Sequence, residues 1–321
     1  MSDYIKQHAI NLDYHTGESW IILNEIEQSI KKKIEAVGTP LKDWNIKINR
    51  GILTGLNEAF IISKEKRDEL IEADPKSVEI IRPILRGRDI KRNKIDFQDK
   101  YLIALFPSKN YDIEKFPAIK DWLLNGDWVT AKTKTNPPTP IGSGKLRLEQ
   151  TGETHTFKGV KFKSRKKTTN KWFEIQDSIQ YWYDFFKPKI IYPNMTKYLP
   201  FYLDKDNFLV NQKAFIITGN NLGSLIAFLS SALFRYAFSN NFPELQGGTR
   251  ELSKIFFENI QVKRGTIDSE KAYLSLIYKI QNYRKNNVST SVLEQQLNNK
   301  IFKDYDLSPE EIKVISESEK L

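Results

Sequence analysis

Cysteine is absent from the 321 residues, and the only histidines are His8, His15 and His155. No disulfide framework can form, and no Cys-ligated zinc or iron–sulfur site can exist. Three histidines spread this way give no multi-His ligand pattern. Long apolar runs are also missing. The most apolar stretch, Leu222 to Phe238, is interrupted by Gly223, Ser224, Ser230, Ser231 and Arg235. A membrane span needs about 20 mostly apolar residues, so this stretch reads as a buried core helix. The first residues, Met1 to Lys6, lack a basic stretch followed by an apolar one. The expectation is a cytoplasmic protein with no membrane partner.

What is present is core-forming material and positive charge. Hydrophobic residues make up 40% and aromatic residues 12%, enough for one large or two ordinary domains. Lys and Arg number 50 against 40 Asp and Glu, a net +10 that points to an anionic partner. The excess is uneven. Between 130 and 171 stand eleven cations, Lys132, Lys134, Lys145, Arg147, Lys158, Lys161, Lys163, Arg165, Lys166, Lys167 and Lys171. Only Glu149 and Glu153 oppose them. This stretch also holds Asn136-Pro137-Pro138-Thr139-Pro140 and Gly142-Ser143-Gly144 with few aliphatic residues. It reads as an exposed insertion or a long mobile loop. Residues 265–321 carry 8 basic and 9 acidic residues, close to neutral, and read as a packing element.

Periodicity supplies the elements. Ile22, Ile26, Ile30 and Ile34 make one stripe on a helix from about Glu18 to Val37, closed by Gly38 and Pro40. Strands are expected at 45–51, 59–62, 101–106, 189–192, 208–210, 214–218 and near 257–262. Helices are expected at 64–73, 116–124, 176–186 and 222–238, with a helix or turn in 77–85. Asn220 or Asn221 should cap the apolar helix. From Asp268 the chain reads as helical, and Ser308-Pro309-Glu310-Glu311 is a helix start with a capping Ser. The division expected is an arm at 1–17, a body at 18–264 and a helical support at 265–321.

Catalytic patterns fail one by one. Asn136-Pro137-Pro138-Thr139 has part of the signature of amino-directed DNA methyltransferases, but Thr139 stands where the stacking aromatic belongs. Gly142-Ser143-Gly144-Lys145 would need Gly at 139 and Ser or Thr at 146 to be a phosphate loop; Thr139 and Leu146 are there instead. Asp99 before Lys100 and Asp204 before Lys205 are isolated acids, as expected at 28% charged residues, not a Mg²⁺ cluster. No catalytic and no metal-binding residue is expected. Basic patches remain. Arg86, Arg88, Lys91 and Arg92 surround Gly87 and can grip phosphates or a guanine edge; a charged surface turn is the plain alternative. Lys158 to Lys167 forms a second patch, with a solvated face as its alternative. Gln246-Gly247-Gly248-Thr249-Arg250 is a third, polar and permissive.

Several blocks together resemble a known family. Arg50-Gly51-Ile52-Leu53-Thr54-Gly55-Leu56-Asn57-Glu58-Ala59-Phe60-Ile61-Ile62 is similar to the opening motif of the TaqI-like C-terminal specificity domain. That domain is the target recognition domain of type IIG restriction–modification enzymes and related adenine-N6 DNA methyltransferases. Ile80 to Ile90 resembles a second block. Lys171-Trp172-Phe173-Glu174-Ile175-Gln176 with Lys187 to Tyr192 resembles a third, and Leu293 to Ile312 the tail.

The resemblance implies an α+β fold, a mixed-sheet recognition body with flanking helices and a C-terminal helical region. It implies double-stranded DNA as partner and a methyltransferase or endonuclease domain or subunit beside it. S-adenosylmethionine and Mg²⁺ would belong to those catalytic domains, expected outside this chain. The DNA-binding candidates are then Arg50, Thr54 and Asn57; Arg86, Arg88, Lys91 and Arg92; Lys132, Lys134, Lys145 and Arg147; Lys158, Lys161, Lys163, Arg165, Lys166 and Lys167; and Lys197, Gln246 and Arg250. Two other readings stay open: a stand-alone specificity subunit that recruits separate methyltransferase or nuclease chains, and a divergent Mg²⁺-dependent nuclease.

Overall fold

The computed structural model describes residues 24–131, 139–140, 144–238, 244–245 and 247–318. The expected arm at 1–17 and the first turns of the expected first helix lie outside them. The fold is α+β, and the chain divides into two compact units. One gathers Lys47–Met195 and Tyr202–Thr218; the other gathers the segments up to Ile46, Thr196–Phe201 and Gly219 onward.

The first unit is built on two four-stranded sheets. One has the order Tyr202–Asp204, Lys189–Pro193, Ala214–Gly219, Ile46–Arg50. The other has the order Leu209–Val210, Ile81–Leu85, Lys100–Ile103, Ile61–Ser63, with Leu209–Val210 parallel to its neighbour and the other pairs antiparallel. Ile84, Leu102, Ile191 and Val210 of these sheets are fully buried in one core with Phe60 and Leu123 from the helices Asn57–Phe60 and Pro117–Asn125.

Pro83 explains why a strand at 81–85 reads as a helix or turn in the sequence. It stands mid-strand, where proline is unusual. Ala104 donates to Ile80 at 2.7 Å, which fixes the alternation of bonded and non-bonded pairs. Pro83 faces Tyr101 at a non-bonded position, so its missing N–H costs no ladder bond. Nearby, the expected 59–62 strand begins as a helical turn, Asn57–Phe60, and becomes strand only at Ile61–Ser63. The expected helix at 176–186 is reduced to a 3-10 turn, Trp182–Phe186. The helices Lys64–Ala73 and Pro117–Asn125 stand where the pattern puts them.

Asp204, an isolated acid in the sequence, is paired in the first sheet. Lys189 faces it across the ladder, and its ammonium donates to Asp204 Oδ2 at 2.5 Å and to the Phe185 carbonyl at 2.7 Å. Both side chains are fully buried. Burial pulls the Lys189 ammonium below its usual range, and the Asp204 charge opposes that shift. Backbone N–H groups of Asp206 and Phe208 donate to the remaining Asp204 lone pairs.

The stretch at 127–171 is expected as an exposed insertion or a long mobile loop. Its described part from 144 onward is ordered. Thr154–Phe157 and Val160–Lys163 form an antiparallel two-stranded ribbon in the register Thr154↔Lys163, His155↔Phe162, Thr156↔Lys161, Phe157↔Val160. Lys158 and Gly159 make the turn with φ of 46° and 78°, the two-residue left-handed turn that matches strand twist. Below the ribbon, Ser164 N donates to Glu153 O, Arg165 N to Glu149 O and Gly152 N to Arg165 O, so the two legs stay laddered.

Arg165 locks that base. Its guanidinium donates from Nε to the Leu148 carbonyl at 2.8 Å, from Nη1 to Thr54 at 2.9 Å and from Nη2 to Trp172 at 2.7 Å. It lies over the Phe60 ring, 5.1 Å from its centre. The side chain is 4% exposed. Burial pushes it down to about 9, while the Glu174 charge acts the other way, so it stays charged at neutral pH.

The second unit is mostly helical. Glu25–Val37 starts on a capping box: Glu27 N donates to Asn24 Oδ1 and Asn24 N to Glu27 Oε2. The expected apolar helix is two, Leu222–Leu229 and Ala232–Phe238. Ser231 separates them, its hydroxyl donating to the Phe228 carbonyl at 2.7 Å and accepting from Phe234 N at 3.1 Å. Asn221 holds the cap position, but its side chain caps no helix N–H and donates instead to the Gly265 carbonyl at 3.3 Å. The Glu270 carboxylate does the capping, accepting from Gly223 N at 2.5 Å and Ser224 N at 2.7 Å. The strand expected at 257–262 is a short helix, Lys254–Glu258, followed by the strand Gln261–Val262.

Ile267–Lys285, Ser291–Asp304 and Pro309–Ser318 are the C-terminal helices. The expected box at 308–311 forms, with Ser308 N donating to Glu311 Oε2 and Glu311 N to Ser308 Oγ. These helices share a unit with Glu25–Val37, whose Ser29 and Lys33 donate to the buried Glu311 carboxylate at 2.7 and 2.8 Å. Among the described residues no helix is long and apolar enough to cross a membrane.

Two stability outcomes follow from the buried cations. Arg165→Ala removes three buried hydrogen bonds to carbonyls and should cost roughly 3 kcal/mol in urea unfolding, while Lys163→Ala should stay within about 0.5 kcal/mol. Equal midpoints for the two variants would show that Arg165 clamps nothing. Lys189→Met leaves Asp204 buried without its cation and should cost about 3–5 kcal/mol by the same measurement; a change below about 1 kcal/mol, the range of an exposed pair, would contradict the burial of this one.

Candidate nucleic-acid interface

Strand alternation sorts the ribbon into two faces. His155, Phe157, Val160 and Phe162 lie on one; Phe162 is buried, and the His155 ring sits 5.5 Å from it. Thr154, Thr156, Lys161 and Lys163 lie on the other, and all four are exposed. Lys158 is exposed at the turn. Gly159 beside it is open: an added Cβ would meet nothing within 4 Å. No acidic residue lies between Thr154 and Lys167. Past the ribbon, Lys166 and Lys167 are exposed while Ser164 and Arg165 are buried. The charged run thus separates into five outward lysines and one inward arginine.

Arg165 is therefore a correction to the candidate set: its donors are engaged by backbone carbonyls inside the body. Thr54 is another. It is fully buried, its hydroxyl donating to Asn57 Oδ1 at 2.8 Å and its carbonyl accepting from Arg165 and from Gln176 N. Gly55 is held at φ +80°, and a Cβ there would come 2.6 Å from Gln176 Oε1 and 2.9 Å from Arg165 Cδ. The Arg50–Ile62 motif thus builds the seat of Arg165. Asn57 is exposed at its edge. Arg50 is exposed, with Nε donating to the Gln212 carbonyl at 3.0 Å, and its own carbonyl accepts from the Tyr181 hydroxyl at 2.7 Å.

The second patch is partly closed. Arg86 makes a two-pronged pair with the buried Asp89, Nε to Oδ2 at 3.0 Å and Nη2 to Oδ1 at 2.9 Å. Arg88 and Lys91 are exposed; Arg92 is half-buried. Lys145 is exposed and Arg147 half-buried on the short helix Gly144–Leu148. Lys197, exposed, and Arg250, half-buried, belong to the other unit. Lys132, Lys134 and Gln246 lie outside the described residues. Among the described residues no three His, Asp or Glu side chains gather to hold a metal ion.

Sequence reasoning missed Thr154 and Thr156 as partners of the lysines. The signal was present: a Lys-Gly pair between two alternating four-residue runs. It also passed over an exposed aromatic cluster. The Trp182 and Tyr183 ring centres are 3.6 Å apart, Lys109 Nζ stands 3.5 Å from the Trp182 ring, and Tyr183 is 63% exposed.

No curated protein of similar sequence is found. Among solved structures, the type IIG restriction endonuclease BpuSI is similar with a TM-score of 0.47 and 13% identity, over 80% of this chain and 28% of that one. The type IIL restriction-modification enzyme MmeI, solved in complex with DNA, is similar with a TM-score of 0.50 and 12% identity, over 87% of this chain and 36% of that one. This chain thus spans 28% of the one length and 36% of the other. The family of the TaqI-like C-terminal specificity domain matches residues 82–262, more than half the chain. On that extent of match, the chain belongs to the family of the TaqI-like C-terminal specificity domain.

Proposed function

We propose that this chain is the DNA target recognition part of a restriction–modification enzyme, binding duplex DNA and making no bonds itself. Family membership over 82–262 carries the reading, and the surface supplies the chemistry. Lys158, Lys161, Lys163, Lys166 and Lys167 face outward with no acid among them. A cationic run of this kind releases counterions from a phosphate backbone and gains affinity by doing so. Arg88, Lys91 and Lys145 add exposed positive charge on the same unit. Arg165 and Thr54 act from inside, by holding the ribbon in place.

On this reading the chain works in the cytoplasm beside a methyltransferase or endonuclease domain or subunit. That partner would modify adenine at N6. S-adenosylmethionine and Mg²⁺ would be bound there, not here.

The test is binding to a pool of random-sequence duplexes across a salt series. Engagement of about five phosphates by the exposed cations of this unit, Arg88, Lys91 and Lys145 included, predicts a slope of log K against log salt of about −4 to −5. Replacing Lys166 and Lys167 by Ala should lower that slope by about 2. Affinity that is absent, or insensitive to salt, defeats the proposal.

A further inference from the structure

We infer that the 154–163 ribbon is the element that enters the DNA major groove. Its outward side chains, Thr154, Thr156, Lys161 and Lys163, would meet the base edges, and Lys166 and Lys167 the phosphates. The inference rests on the duplex-binding reading and assigns the reading surface within it.

Shape is the first argument. The major groove, about 12 Å wide, admits a two-stranded ribbon. Paired strands lie about 4.8 Å apart, leaving room for one layer of side chains on the groove floor. The ribbon is two four-residue strands joined by a two-residue turn, and its tip is free around Gly159.

Chemistry is the second. The exposed face presents two cross-strand pairs, Thr154 with Lys163 and Thr156 with Lys161. Each pair sets an ammonium beside a hydroxyl. The ammonium can donate to guanine O6 and N7, and the hydroxyl can donate or accept, with its methyl available to thymine. Among the described residues neither Lys161 nor Lys163 has an ion pair or hydrogen bond that would withhold it from a ligand.

Rigidity is the third. The opposite face is tied down by Phe162 in the core, and the base by the three carbonyl bonds of Arg165. A reader held in one geometry loses little freedom on binding. Arg165 is thus a positioning residue for a surface it does not reach. Lys166 and Lys167 follow the clamp, outside the ribbon, where backbone charge is the available partner.

The experiment begins with selection of bound sequences from random duplexes by the 321-residue chain. Selection is repeated with Thr156→Ala/Lys161→Gln, with Lys163→Gln and with Lys166→Gln/Lys167→Gln, all at exposed positions and each checked for an unchanged unfolding midpoint. The ribbon variants should lose affinity for the selected site by about 10- to 100-fold, lose preference at one or two base positions, and lose only a few-fold on unrelated duplexes. The 166/167 variant should weaken all duplexes alike and keep the selected sequence. Replacing purines of the selected site by 7-deazapurines, which removes only a major-groove acceptor, should weaken the unsubstituted chain.

An unchanged selected sequence in the ribbon variants, or indifference to the deazapurines, overturns the assignment and leaves duplex binding standing. No duplex binding by the unsubstituted chain overturns both.

Discussion

A guanidinium buried among backbone carbonyls holds the recognition body together. Taking an arginine out of water costs several kcal/mol unless its donors are met. Arg165 meets that cost with three carbonyls from three separate segments, at Thr54, Leu148 and Trp172, and with the Phe60 ring. Arginine suits this because its five donors point outward in a fixed plane. Lysine would reach fewer of them from one point. The consequence is local order far beyond the residue itself. The turn at Gly55, the helix end at Leu148 and the start of the third sequence block must all stand around one charge.

This clamp recasts the opening motif. Arg50 to Ile62 is the most recognisable stretch of the sequence, and a recognisable stretch in a DNA-reading domain invites assignment to the DNA. Thr54 and Gly55 instead form a seat: one gives its carbonyl to Arg165, and the other lacks the Cβ that would strike it. The ribbon, proposed above to meet DNA, is carried by that seat.

Much of the scaffold was legible in the sequence. The helices at 64–73 and 117–125, the capping box at Ser308 and the buried strands at 189–193 and 214–219 all declare themselves by period and punctuation. The failures have definite causes. Pro83 made a central strand look broken because register, which decides whether proline is tolerated, is not local. The apolar run at 222–238 hid a break because Ser231 closes one helix and opens the next within a single hydrophobic stretch. The ribbon reads as a loop because its dense positive charge masks its alternation. Thr-His-Thr-Phe and Val-Lys-Phe-Lys around Lys-Gly carry a period of two that a charge tally does not see.

The sequence by itself determined the class of the protein, the lie of its basic charge and the blocks that mark its family. All of these depend on residue types in order along the chain. It could not say which basic residues face a ligand. Lys163, Arg165 and Lys166 are near neighbours of like charge, and nothing in their order sets one apart. Only the tertiary structure decided that the arginine turns inward and the lysines outward. The carbonyls that accept from Arg165 come from positions as far away as Thr54, 111 residues along the chain, and a buried charge is stable only where such distant acceptors converge.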